Sequence, residues 1–501
     1  MNFQTPWLKF TLNLLFLGMI IHIVYGFMLG LSVDEAHYAL YGLYPDWSYF
    51  DHPPMVGWLQ IIPAKGHWPV GLIRLVPELL WLLSVLLSMH LTKVIIASFL
   101  SSSHYHSLRS AHWWTALLIL TTPILHVLAV GLLPDTLLLV LVPCMMLLTI
   151  SIHNALDQRY PRDIQLWISL GVILGLAGLS KYTSLFFALG VLICLLQWHG
   201  LKIFSRPGLW LCLLIAITLI TPVLYWNMNH DWISFKYQLG HGAGGEWKFR
   251  RIGNFLLTQL ACYGLLNLLG LTWVFRRYLS PPIGLFSFSV IPFLIFAVMS
   301  GGGGSLPHWT SPAWIAITPI CAIGLANAWF VGRKFWITTM IFLQLSLIAI
   351  GFFLLASGGL PGVSMKDPLG QKNPIADLYG WDLAGEKLNQ IAIEKNIPHI
   401  VTQNWTMGSR LAWYTQSKSV HILDDRRDQF DIWFGKMPEG EDAVLLQWSQ
   451  MTYELPIQKN QFSSCDKIDS MPVKRSDRAI SQFDFYVCKD WGQIHPEKIN
   501  D

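Results

Sequence analysis

Apolar runs of about 17–25 residues recur roughly eleven times before residue 360, each long enough to cross a hydrocarbon layer as a helix. They centre near residues 12–31, 70–98, 112–131, 134–152, 164–180, 183–199, 208–226, 254–275, 283–300, 311–331 and 335–357. A backbone in lipid must satisfy its own hydrogen bonds, so segments this apolar and this long can span only as helices. Short hydrophobic breaks leave room for one or two more. The expectation is an α-helical polytopic membrane protein of about 11–13 transmembrane helices.

Charge then divides the chain. Of its 64 Asp, Glu, Lys and Arg residues, 28 fall in residues 1–360 and 36 in the much shorter stretch 361–501. That predicts a membrane body over 1–360 and a soluble tail domain over 361–501. A net charge of +4 with no continuous basic stripe gives no footprint for nucleic acid. Lys9 precedes the first span and no small-residue cleavage site follows it, so the span reads as a retained anchor. In the tail, Leu383–Lys395 has the apolar spacing of an amphipathic helix, and His399–Thr402, Val420–Leu423, Ala443–Gln447 and Phe483–Cys488 read as short strands. The prediction is a small α/β domain. Five of the seven cysteines lie in apolar runs. The other two, Cys465 and Cys488, would pair if the tail faces an oxidising compartment.

Orientation follows from the short basic loops. Arg109, Arg159 with Arg162, Lys202 with Arg206, Arg276 with Arg277, and Arg333 with Lys334 fall in alternate connections, which the positive-inside rule assigns to the cytoplasm. The opposite side receives an acidic first loop, Asp34–Pro54, the Pro134-Asp135 turn, the Ser180-Lys181-Tyr182 break, a long loop over 227–253, the Gly301–Trp309 loop and the tail. Localisation in the cytoplasmic (inner) membrane, with the active face and the tail extracytoplasmic, is the expectation.

The candidate chemistry lies on that side. Asp34, Glu35, Asp46 and Asp51 place four carboxylates within eighteen residues, with His37 and His52 beside them. Like charges this close need a proton, a cation or a substrate between them. Asp135 sits at the edge of the hydrocarbon, where it serves either function or the cap of a helix start. Lys181 interrupts an apolar run and either snorkels to the interface or meets an anionic ligand. The 227–253 stretch carries His241 and the Arg250-Arg251 pair, basic against the orientation rule; phosphate and anionic lipid both account for it. Gly301–Gly304 lacks the strand–loop–helix context of a nucleotide loop. No P-loop or dinucleotide fingerprint occurs, and no nucleotide pool exists outside the cytoplasm. Group transfer there must draw on an activated, membrane-borne donor such as a sugar on polyprenyl phosphate. A basic residue would stabilise the leaving phosphate and a carboxylate would take the acceptor's proton.

Asp34-Glu35-Ala36-His37-Tyr38, then Trp47-Ser48-Tyr49-Phe50-Asp51-His52-Pro53-Pro54, Pro134-Asp135-Thr136, Ser180-Lys181-Tyr182-Thr183 and Pro307-His308-Trp309-Thr310-Ser311-Pro312-Ala313 together resemble the GT-C glycosyltransferases. Within these the chain is similar to the protein O-mannosyltransferase superfamily branch that includes the aminoarabinose lipid A transferases. Leu378-Tyr379-Gly380-Trp381 and Asp428-Gln429-Phe430-Asp431-Ile432-Trp433 in the tail resemble the same branch. The resemblance implies a GT-C fold and a polyprenyl-phosphate-sugar-dependent transferase acting on an extracytoplasmic lipid or protein hydroxyl. It implies Asp34 as the main catalytic acid, accompanied by Glu35 and a second acid, Asp135. Tyr38 would line the donor site, with Lys181 near the donor phosphate. His52 stands where the lipid A transferases have a lysine, and is carried as a substrate-binding position together with Arg250 and Arg251. A divalent metal at Asp51 and His241 is also implied; no other cofactor is. His37 replaces an arginine, which argues against aminoarabinose as the sugar. The competing class is a secondary transporter or lipid flippase. Such proteins place polar sites near the midplane of repeated halves, whereas here the unusual residues collect at one face and no repeat is visible.

Overall fold

The computed structural model describes residues 5–101, 105–157, 163–243, 246–276, 282–303, 305–359, 373–424, 426–459 and 461–492. Arg159, Arg162, Arg277 and Gly304, and the expected domain boundary at 360/361, lie outside the described residues. The main helices are α1 (Thr5–Met28), α2 (Val33–Leu43), α3 (Leu75–Phe99), α4 (Ala111–Leu120), α5 (Pro123–Val130), α6 (Pro134–Asp157), α7 (Asp163–Ser180), α8 (Leu185–His199) and α9 (Pro207–Asn229). They continue with α10 (Ile233–Ala243), α11 (Phe249–Tyr263), α12 (Leu266–Arg276), α13 (Ser287–Gly302), α14 (Ser311–Phe330) and α15 (Lys334–Ser357). Chain packing defines two compact units: Met1–Gly26, Pro45–Leu59 and Gly71–Ile348 form one, and Phe27–Tyr44, Gln60–Val70 and Ala349–Asp501 the other.

The first unit is a helical membrane body. Among the described residues nine helical stretches are long and apolar enough to span, or up to eleven if two bent pairs each count as one. The expected continuous spans at 112–131 and 254–275 are those two pairs, bent by 73° and 95°. Their chemistry explains the breaks. Pro123 opens α5 with no N–H to offer, while the Thr121 and Thr122 hydroxyls donate back to the Leu117 and Leu118 carbonyls of α4. Gly264 ends α11 at φ +76°, a conformation that costs glycine little and other residues much. Gln344 of α15 serves both breaks. Its Nε2 donates to the Thr121 carbonyl at 2.9 Å, and its Oε1 accepts from Leu266 N at 3.3 Å.

At the centre stand α14, with 83% of its spanning window buried, and α6, with 67%, whereas α15 is 11% buried and faces outward. The small residues of α14 allow close approach to α12: a Cβ on Gly324 would lie 2.0 Å from the Gly270 carbonyl oxygen. Only glycine leaves room for this approach, and such close van der Waals packing is what associates helices in lipid, where burial from water contributes nothing.

Two stretches expected as loops are helical. Residues 33–43 form α2, because Ser32 and Glu35 make a reciprocal capping box at its start. Much of 227–253 belongs to α9, α10 and α11.

The second unit carries a five-stranded mixed sheet in the order β2-β1-β3-β5-β4, built from β1 (His399–Thr402), β2 (Val420–Ile422), β3 (Ala443–Trp448), β4 (Ser464–Arg475) and β5 (Arg478–Lys489). β1 pairs in parallel with β2 and β3, and β3, β5 and β4 are antiparallel. Helices α16 (Trp381–Lys395), α17 (Trp405–Thr415) and α18 (Gln429–Phe434) complete it. β4 had no sequence expectation: most of its side chains are exposed, so it lacks the alternation that marks a half-buried strand. Cys465 and Cys488 face each other across β4 and β5 and form a disulfide.

Candidate active site

In the helical body the polar residues converge on the start of α6. Asp135, in its first turn, is 1% exposed, and its two carboxylate oxygens accept from Lys181 Nζ at 2.8 and 2.7 Å. Lys181 is placed there because α7 stops at Ser180, whose hydroxyl donates to the Pro134 carbonyl at 2.8 Å. His308 Nε2 lies 3.7 Å from Asp135, and the Trp309 ring sits 5.5 Å from the Lys181 ammonium. Lys181 therefore neither snorkels nor stands open to solvent. Its charge is held by a buried carboxylate, a geometry in which each ion makes the other tolerable.

The 45–59 segment folds onto the same unit. Asp51 Oδ2 lies 2.9 Å from His52 Nδ1, and the Asp51 carbonyl accepts from Gln238 Nε2 at 2.6 Å. Asp46 accepts from the Trp226 indole at 2.7 Å. Tyr49 is fully buried, its carbonyl taken by the Ser234 hydroxyl, and burial raises its phenol's pKa far above the ordinary value. Ser48 Oγ lies 3.4 Å from Tyr182 OH, the residue next to Lys181. The Asp51–His52 step, the Asp135–Lys181 pair and His308 thus share one polar region.

Arg250 and Arg251 open α11 and are exposed. Arg251 donates to the Glu246 carbonyl at 2.9 Å and lines a pocket of about 400 Å³ with Asn254, Thr258, Gln259, Ser300 and Ser305. His241 lies in α10, with its side chain outside the described residues. The implied metal at Asp51 and His241 therefore has one described ligand, already beside an imidazole nitrogen.

In the other unit, Asp34 stands in the first turn of α2 beside Glu35. Glu35 is 8% exposed and its Oε2 accepts from Ser32 N and Oγ at 3.0 and 2.9 Å, a capping arrangement. The tail secures the same turn: Val33 N donates to Asp377 at 3.2 Å and Leu31 N to the Tyr414 hydroxyl at 2.8 Å. Arg410 of α17 pairs with Asp377, lies over the Trp381 ring at 3.9 Å, and is near enough to Asp34 to feel its charge. Burial pulls its guanidinium down to about 9, against the opposing pull of Tyr414 and Asp34, so it stays charged at neutral pH. No sequence signal marked Arg410, an arginine inside an otherwise ordinary amphipathic helix. Tyr38 is buried against His37 and Tyr41. His37 is buried too, bonded to Ser409 Oγ at 2.9 Å and Tyr41 OH at 3.1 Å, among Trp405, Phe430 and Trp433.

Residues 51–226 match a family described as dolichyl-phosphate-mannose-protein mannosyltransferase. The chain is 24% identical over 315 residues to the lipid A galacturonosyltransferase RgtD of Rhizobium johnstonii, across 61% of this chain and 63% of that protein. It thus spans a little under two thirds of that curated relative's length. The crystal structure of ArnT from Cupriavidus metallidurans in the apo state aligns over 96% of this chain and 98% of its own, with a TM-score of 0.62 at 14% identity. The same protein bound to undecaprenyl phosphate gives a TM-score of 0.61 at 13% identity.

Proposed function

We propose that this multi-pass membrane protein, which has the fold and the motifs of the GT-C glycosyltransferases, transfers a sugar from a polyprenyl-phosphate donor to a hydroxyl of lipid A on the extracytoplasmic face of the inner membrane. The observation that carries the reading is that the stretch matched by the mannosyltransferase family, residues 51–226, contains the Asp51–His52 step and the buried Asp135–Lys181 pair. A sugar transferase drawing on a membrane-borne donor needs charged groups of this kind at the membrane edge, where ordinary packing disfavours them.

In the proposed reaction the acceptor oxygen attacks the anomeric carbon, the bond from that carbon to the phosphate oxygen breaks, and polyprenyl phosphate leaves. Asp34 takes the acceptor's proton, and basic residues balance the charge growing on the phosphate. Arg251 suits the last role, since it is exposed and lines a polar pocket at the head of α11. Lys181 serves the donor through Asp135, its charge available to a phosphate only as that pair loosens. The lipid acceptor is favoured over a protein by the relative that is a lipid A transferase, and the donor class by the neighbour that binds undecaprenyl phosphate. The disulfide supports the orientation, because such bonds persist in oxidising compartments.

The test is transfer by purified protein from a panel of radiolabelled undecaprenyl-phosphate sugars to lipid A. One labelled sugar should appear on lipid A and polyprenyl phosphate should be released in equal amount. Label on protein Ser or Thr instead, or no transfer from any donor, would contradict the proposal.

A further inference from the structure

The end of α6 remote from Asp135 holds a second cluster that the proposed transfer does not use. Asp157 lies 22 residues beyond Asp135, about 33 Å along the helix axis. His153 and Asp157 are one turn apart, on one face of α6. His199, the last residue of α8, meets them from the side. The His153 Nδ1 and His199 Nε2 atoms are 3.2 Å apart, and Asp157 Oδ2 lies 3.8 Å from His153 Nε2. One ligand atom from each residue can be chosen so that all three lie within 4.8 Å of one another. Among the described residues this is the one trio of His, Cys, Asp or Glu side chains so placed.

The His153–His199 contact is made by Nδ1 of His153, whereas the Asp157 carboxylate approaches the other ring nitrogen, Nε2, so an ion joining the two rings through Nδ1 draws on the exposed, adjustable Asp157 side chain. Two imidazoles on one tetrahedral ion, with bonds of about 2.0–2.1 Å, would hold their nitrogens roughly 3.4 Å apart, close to the spacing seen. The histidines are also pre-positioned. His153 stacks on Phe99 and packs against Trp198 at 4.5 Å between centroids, so its ring is fixed before any ion arrives. Asp157 is the adaptable member, with its side chain 61% exposed. Arg206 opposes a cation at His199, a repulsion that Asp157 offsets.

We propose that His153, Asp157 and His199 form a binding site for a divalent transition-metal ion, joining the end of α6 to the end of α8. Two nitrogens and one carboxylate oxygen suit Zn²⁺ and exclude the all-oxygen preference of Ca²⁺ and Mg²⁺. Three protein ligands leave a position for water. The site is independent of the sugar-transfer reading and of the Asp51 and His241 positions.

The full-length protein, purified in detergent and stripped with a chelator, would be titrated with Co²⁺. Readouts are its visible absorption and the metal retained per chain after desalting, with Zn²⁺ as competitor. Wild type should take up an equivalent that His153→Gln and His199→Gln bind about 100-fold or more weakly, a larger loss than that of most outer-shell partners. Asp51→Asn should retain that equivalent, which separates it from any ion on the sugar-transfer side. Because a histidine variant could fail to fold, Asp157→Asn at an exposed position provides a second measure: Zn²⁺ should raise the melting temperature of wild type and not of this variant. Equal uptake by wild type and the histidine variants, or no uptake by wild type, overturns the site.

Discussion

Asp135 and Lys181 are each close to fully buried, and each is tolerable there because of the other. Removing one partner leaves an uncompensated charge, whereas removing both leaves a neutral site. Lys181→Met should therefore lower stability by ~3–5 kcal/mol, and Asp135→Asn with Lys181→Met should recover most of it. Thermal unfolding of the four members of this double-mutant cycle measures the coupling directly. Additive losses would mean that the two residues act apart. Both residues were legible in the sequence as polar interruptions of apolar runs, but their partnership was not. They are separated by 46 positions, and a single sequence carries no signal for a contact of that range. Arg410 carries no sequence signal for the same reason. Its meaning lies in Asp377, Trp381 and Asp34, none of them its neighbours in sequence.

The two broken spans depend on one side chain. Gln344 bonds a carbonyl at the end of α4 and an amide at the start of α12, groups that a continuous helix would satisfy for itself. Gln344→Leu keeps the volume and strands both in an apolar setting. It should cost ~1–3 kcal/mol for each unsatisfied group, read as a lower melting temperature in detergent. An unchanged melting temperature would show that the breaks are held by Pro123 and Gly264 alone. In the sheet unit, Asp428 caps α18, its Oδ1 accepting from Phe430 N at 2.7 Å while its Oδ2 is buried without a hydrogen-bond partner. Burial pushes this carboxyl up to about 7. Folded protein therefore binds the proton more tightly than unfolded protein, and this group destabilises progressively as pH rises from near 4 to near 7. Asp428→Asn keeps the cap and should flatten that part of the stability profile, raising the melting temperature at pH 8 more than at pH 5. Equal shifts at both pH values would contradict it. Strands with alternating burial were legible here. β4 was not, because its exposed face gives no pattern and its register is fixed by β5 and the disulfide.

Over the whole molecule, length and hydropathy gave the helical body and charge gave the tail, since both are properties a residue carries wherever it lies. The bends at Thr121–Pro123 and Gly264 divide two expected spans into pairs, and the proline and glycine that mark them lie within apolar runs that read as continuous. The acidic stretch was legible by composition, but its first half became a helix start secured by Ser32, Asp377 and Tyr414. That support matters for the proposed chemistry, because a general base must be held at a fixed place for each acceptor. Asp34 is the proposed base, and Asp34→Asn preserves shape while removing the basic oxygen. With well-folded variant protein, transfer of sugar to lipid A and binding of the polyprenyl-phosphate donor should be measured side by side. Transfer should fall by roughly 10²-fold or more while donor binding is retained. Transfer at the wild-type rate, or donor binding lost together with transfer, would contradict it.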